Sequence, residues 1–74
     1  AMINAAERSY RADQFRSWYD HLPTASMKSS MKRKLVSELQ IGIQSFYDLL
    51  SGRVYINQYK QSRIEAIIGK EIFV

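Results

Sequence analysis

Residues 33–53 read RKLVSELQIGIQSFYDLLSGR, and no other part of this 74-residue chain restricts its fold so strongly. Leu35, Val36 and Leu39 recur at helical spacing in one segment, and Phe46, Leu49 and Leu50 in the next. Ile41-Gly42-Ile43 lies between them, too short for a loop but suited to the corner of a helix-turn-helix. Gly52 followed by Arg53 closes the unit. A pair of this kind buries facing stripes and turns the second helix outward, which points to nucleic-acid binding.

A chain of this length forms one small domain that buries about 60% of its unfolded surface. With 46% apolar residues, five Tyr, three Phe and one Trp, a packed core is expected rather than disorder. There is no cysteine, hence no disulfide and no thiolate metal site, which suits a reducing cytosol. No apolar run approaches the roughly 18 residues of a spanning helix, and no signal-peptide pattern is present. Ala1 ahead of Met2 reads as a cloning remnant. The expectation is a cytoplasmic protein with no membrane partner.

The net charge of +4 is unevenly spread. Residues 1–23 balance, with Arg8, Arg11 and Arg16 against Glu7, Asp13 and Asp20. Residues 24–40 carry Lys28, Lys32, Arg33 and Lys34 against Glu38 alone, a net of +3. Asp48 offsets Arg53 in residues 41–56, and the remainder adds +1. The excess therefore lies just ahead of the corner, where a bihelical motif meets phosphates. The same charges also suit a solvated helix face.

Four helices account for most of the chain. The first spans roughly residues 4–21, with Phe15, Trp18, Tyr19 and Leu22 at i, i+3, i+4 and i+7. Pro23 ends it, because the residue before a proline is pushed out of helical geometry. Glu7 and Arg11 pair at i,i+4 on its outer face, worth a few tenths of a kcal/mol. Thr24 and Ser26 are N-cap candidates for the second helix. A helix running from there would stripe Met27, Met31, Leu35 and Leu39 with Lys28 in its midst, so a regular helix from about Met31 is expected, after a separate turn at 26–30. Gln44 to Ser51 forms the third helix, ended by Gly52 in the left-handed conformation. Val54-Tyr55-Ile56 is an extended connector that drops Ile56 into the core. Asn57 caps a last helix over 58–68, with Ile64, Ile67 and Ile68 inward and Gly69 as its stop. The tail Ile72-Phe73-Val74 either folds back on the core or meets another chain. The expected core is Phe15, Trp18, Leu22, Leu35, Leu39, Phe46, Leu49, Ile64 and Ile67.

Leu35, Val36, Leu39, Ile41, Phe46, Leu49 and Gly52-Arg53 match the spacing of the Cro/phage-repressor (lambda-repressor-like) family of helix-turn-helix regulators, which this chain resembles over about a third of its length. Phe46-Tyr47 with Leu49-x-x-Gly52 is similar to short bacterial variants with an aromatic pair in the recognition helix. Gln40 stands at the turn position that is often glycine in that family. The resemblance implies that Gly42 caps the second helix of the motif, where Ser or Thr is common. It implies that Ile43, Gln44, Tyr47 and Asp48 face base edges, and that Lys32, Arg33 and Arg53 meet phosphates. Those residue types fit such roles: a glutamine amide pairs bidentately with adenine, isoleucine touches a thymine methyl, and an acid accepts from cytosine N4.

Catalysis is not expected. His21 is the single histidine, with no cysteine or acid pair at ligand spacing. Neighbours such as Asp20 and His21 point about 100° apart on a helix and form no dyad. Gly42, Gly52 and Gly69 are too widely spaced for a phosphate loop. The sequence therefore reads as an all-α, four-helix domain that binds double-stranded DNA sequence-specifically as a transcriptional regulator. A homodimer is expected, with contact from the N-terminal helix or the tail, and neither cofactor nor small-molecule substrate. The alternative is a protein–protein interaction module on the same fold, antitoxin-like or a phage-encoded adaptor, which Asp48 and the modest total charge favour.

Overall fold

A computed structural model describes residues 5–73 of the chain. Ala1, the expected helix start at Asn4, and Val74 lie outside the described residues. Four helices follow one another: α1 (Ala5–Asp20), α2 (Ala25–Leu39), α3 (Ile43–Ser51) and α4 (Gln58–Ile68), with no strand among the described residues. The small all-α bundle expected from the sequence is the fold.

Local chemistry sets the boundaries. Past Asp20 the chain turns, and the His21 amide and its ring Nδ1 both donate to the Ser17 carbonyl, at 3.1 and 2.7 Å. The histidine thus satisfies a carbonyl that the helix end would leave open. Thr24 Oγ1 accepts from the Met27 amide at 3.1 Å and opens α2. Asn57 Oδ1 does the same for α4, accepting from Lys60 N at 2.9 Å. Gly52 (φ 85°) takes the left-handed conformation that closes α3.

α2 is one unbroken helix from Ala25, which corrects the start expected near Met31. The objection to a long helix assumed that the whole methionine–leucine stripe is buried. It is not: Met27 is 44% exposed, and Ala25, Ser26, Ser29 and Ser30 around it are exposed as well. Lys28 and Met31 are both half-buried, and the stripe first enters the core at Leu35.

The core runs between two packed pairs, α1 on α3 and α2 on α4, with α2 and α3 meeting at the corner. Phe15, Leu35, Phe46, Leu49, Leu50, Ile56 and Ile64 are buried, and Trp18, Leu39 and Ile67 pack against them half-exposed. The Phe15 ring stacks on Trp18 at 5.9 Å and meets Phe46 edge-on at 5.8 Å. Leu22 is not in this core. α1 has already ended, so the i+7 position of its stripe leaves the helical face and lies half-buried beside Trp18, Pro23 and Ile72. Ala12 is buried where α1 crosses the end of α3, its Cβ 3.4 Å from where a Gly52 Cβ would stand.

The tail folds back. Glu65 Oε2 accepts from the amides of Ile72 (2.8 Å) and Phe73 (2.9 Å), and both side chains pack on the chain's own core. Arg11 and Glu7 pair at 3.3 Å as their spacing predicts, and the Tyr55 hydroxyl ties the connector to the same carboxylate at 3.4 Å.

Candidate nucleic-acid interface

The corner begins at Gln40, which occupies the left-handed region (φ 54°, ψ 48°) although it is not glycine. Its amide donates to Ser37 O and Val36 O, and the Ile41 amide reaches back to Val36 O at 3.1 Å. This is a Schellman closure, and it uses up carbonyls that α2 would otherwise leave open. Gly42 is extended (φ −81°, ψ 165°) and serves as the N-cap of α3, its carbonyl accepting from Phe46 N at 3.1 Å. As glycine, Gly42 offers no side-chain cap to the first amides of α3.

α3 is buried on one side only. Phe46, Leu49 and Leu50 face the core, while Ile43 is 50% and Tyr47 45% exposed. Gln44, Asp48 and Ser51 lie on the side away from the core, since positions separated by about 100° per residue place them opposite the buried trio.

The polar side chains of this side are linked through the half-buried Asp48. Gln44 Nε2 donates to Asp48 Oδ1 at 3.2 Å, and the same oxygen lies 4.0 Å from Arg53 Nη1. Arg53 is 76% exposed at the exit of the helix. On the neighbouring flank, Lys32 Nζ donates to the Tyr47 hydroxyl oxygen at 3.4 Å, across the corner from α2.

Lys32, Arg33 and Lys34 do not form one patch. Lys32 leans on Tyr47 of α3. Arg33 is exposed, about 200° round the helix from the buried Leu35. Lys34 lies on the far flank beside Glu38, Arg63 and Ile67. Consecutive helical residues diverge, so a basic run in sequence becomes a basic belt in space. Of the seven residues assigned to base or phosphate contact, the structure gathers Gln44, Asp48 and Arg53 into one chain and Lys32 and Tyr47 into a second. Ile43 stands at the N-terminal end of α3, and Arg33 stays apart.

Sequence reasoning missed the other flank of α3. Ser45 opens onto a cleft of about 640 Å³ whose far wall includes Tyr59, Lys60 and Arg63 of α4. Tyr59 is 72% exposed, and Arg63 Nη2 donates to the Glu38 carbonyl at 2.8 Å, pinning α4 to the last turn of α2. The Asn57 cap places 59 and 60 in the first turn of α4, but only the packing of α4 on α2 brings them to the corner.

Among the described residues no three histidine, cysteine or acidic side chains gather as a metal site would require, and no helix is long and apolar enough to cross a membrane. No family model, curated protein or solved structure matches the chain.

Proposed function

We propose that this chain is a sequence-specific double-stranded DNA-binding domain of the Cro/phage-repressor type and acts as a transcriptional regulator. One observation carries the reading: α3 is buried on its Phe46, Leu49 and Leu50 side only, and its outer side bears Gln44, Tyr47 and Asp48 between two cations, Lys32 and Arg53. With its side chains an α-helix is about 10–12 Å across, which a B-DNA major groove about 12 Å wide admits, and the nine residues of α3 at 1.5 Å each give about 14 Å of length along it. In that groove Ile43 meets a thymine methyl, Gln44 an adenine edge, and Tyr47 a phosphate or a base, with Asp48 facing the same edges. Lys32, Arg33 and Arg53 take backbone phosphates and set the register.

A reading helix this short touches few base pairs, so the proposal includes a homodimer on a two-fold site. Ile72 and Phe73 are spent on the chain's own core, which leaves the outer side of α1 to supply the dimer contact. The proposal involves no catalysis, cofactor or small-molecule effector, and a cytoplasmic setting.

Fluorescence anisotropy of a mixed genomic duplex pool at several salt concentrations tests it. Affinity that falls steeply with salt, and is weakened by Arg53→Ala, is the expected result. Absence of binding even at low salt would overturn it. The second reading, a protein-binding module, then takes its place, and the half-exposed Ile43 and Tyr47 beside an Arg53 already offset by Asp48 support it.

A further inference from the structure

Gln44 and Asp48 stand one turn apart on the outer side of α3, joined by the bond from Gln44 Nε2 to Asp48 Oδ1. An ionised carboxylate only accepts hydrogen bonds, so the amide nitrogen must face Asp48 and the amide oxygen must face away. The chemistry of the partner fixes the orientation of the amide. That nitrogen carries two N–H bonds. Donating through the one beside the amide oxygen would press Oε1 against the carboxylate, and like partial charges repel. The other N–H therefore donates, leaving an edge with one acceptor and one donor side by side.

That edge matches adenine in the major groove, whose N6 amine donates and whose N7 accepts. Guanine offers two acceptors at the same place and satisfies only half of it. Arg53 Nη1, 4.0 Å from the same Asp48 oxygen, offsets the carboxylate charge that would otherwise approach the phosphates alone. We infer that Asp48 is a positioning residue, which holds the Gln44 amide so that its free edge selects adenine at one base pair. The inference rests on the DNA-binding reading above.

Binding sites are selected from a random duplex pool with the wild-type protein. The selected site and its single-base variants are then titrated with wild type, Gln44→Ala, Asp48→Ala, Asp48→Glu and the Gln44→Ala/Asp48→Ala double variant. Wild type is expected to prefer adenine at one position by about tenfold or more, the discrimination of a bidentate pair. Gln44→Ala and Asp48→Ala each lose most of that preference at that position alone, and the double variant loses no more than either. Asp48→Glu, still restricted to accepting, keeps it. In the free protein, the side-chain amide resonances of Gln44 shift on Asp48→Ala. An Asp48→Ala protein that keeps full adenine preference, or loses preference evenly at every position, overturns the inference while DNA binding stands. Unmoved Gln44 amide resonances overturn it as well. A wild-type protein that binds no duplex at any salt overturns the inference and the DNA-binding reading together.

Discussion

Lys32 Nζ lies 3.4 Å from the Tyr47 hydroxyl oxygen and 5.8 Å from the centre of its ring, so a cation of α2 rests against the outer side of α3 from 15 residues away. At an exposed site such a contact contributes only about 0.5–1 kcal/mol. Its consequence is positional. Lys32 is held at the flank of the proposed reading helix, whereas its neighbours Arg33 and Lys34 diverge from it round α2.

The basic residues should therefore differ in how they respond to salt. Each phosphate contact adds about 0.9 to the slope of log affinity against log salt. Lys32→Ala and Arg53→Ala are each expected to flatten that slope by about one. Lys34→Ala, on the far flank beside Glu38 and Arg63, is expected to leave it unchanged. Anisotropy titrations over a range of salt check this, and equal losses from all three variants would contradict the geometry.

Gln40 gives a stability test that is independent of DNA. A side chain in the left-handed region costs about 1–2 kcal/mol, part of which glycine returns as lost unfolded-state entropy. Gln40→Gly is expected to stabilise the fold by about 0.5–1 kcal/mol, as read by urea denaturation. No gain would mean that the Gln40 side chain contributes contacts that offset its backbone strain.

Most helix ends were legible because their signals are local. Gly52, Asn57 and Gly69 each mark a boundary through their own conformational or capping chemistry, and the structure uses all three. Thr24 was equally legible as a cap. What failed was the step from pattern to burial, since an apolar Met27 at helical spacing need not reach the core. Leu22 failed the same way, counted on a helical face after the helix had stopped. Ala12 and Arg63 gave no signal. A buried alanine is locally unremarkable, and the carbonyl that Arg63 meets belongs to a helix 25 residues away. At the proposed site, the link between Gln44 and Asp48 follows from i,i+4 spacing. The reach from Lys32 to Tyr47 depends on how α2 and α3 cross.

Glu65 governs the tail. Its carboxylate accepts from two backbone amides, those of Ile72 and Phe73, and hydrogen bonds to a charged group contribute roughly 1.5–3 kcal/mol each when shielded from water. Glu65 is half-buried, so the lower end applies. Glu65→Ala is expected to cost about 1–3 kcal/mol and to speed amide exchange at Ile72 and Phe73. Glu65→Gln keeps one acceptor oxygen and should fall between. Unchanged exchange at both amides in Glu65→Ala would show that packing on Phe15 holds the tail without the carboxylate.

Adjacent residues of α3 should show opposite tolerance. Phe46 is fully buried and meets three rings edge-on: Phe15 at 5.8 Å, Tyr19 at 5.5 Å and Tyr47 at 5.6 Å. Truncating such a residue to alanine costs about 3–5 kcal/mol. A single core in a chain below 70–80 residues supplies roughly the same amount in total. Phe46→Ala is therefore expected to leave the protein largely unfolded at room temperature, with its helical circular dichroism lost. Tyr47→Ala gives up one ring contact and the Lys32 contact, together about 1–2.5 kcal/mol, and should stay folded with a lowered melting temperature. A Phe46→Ala protein that still melts cooperatively, within about 1 kcal/mol of wild type, would show that α3 is held by something other than this aromatic cluster.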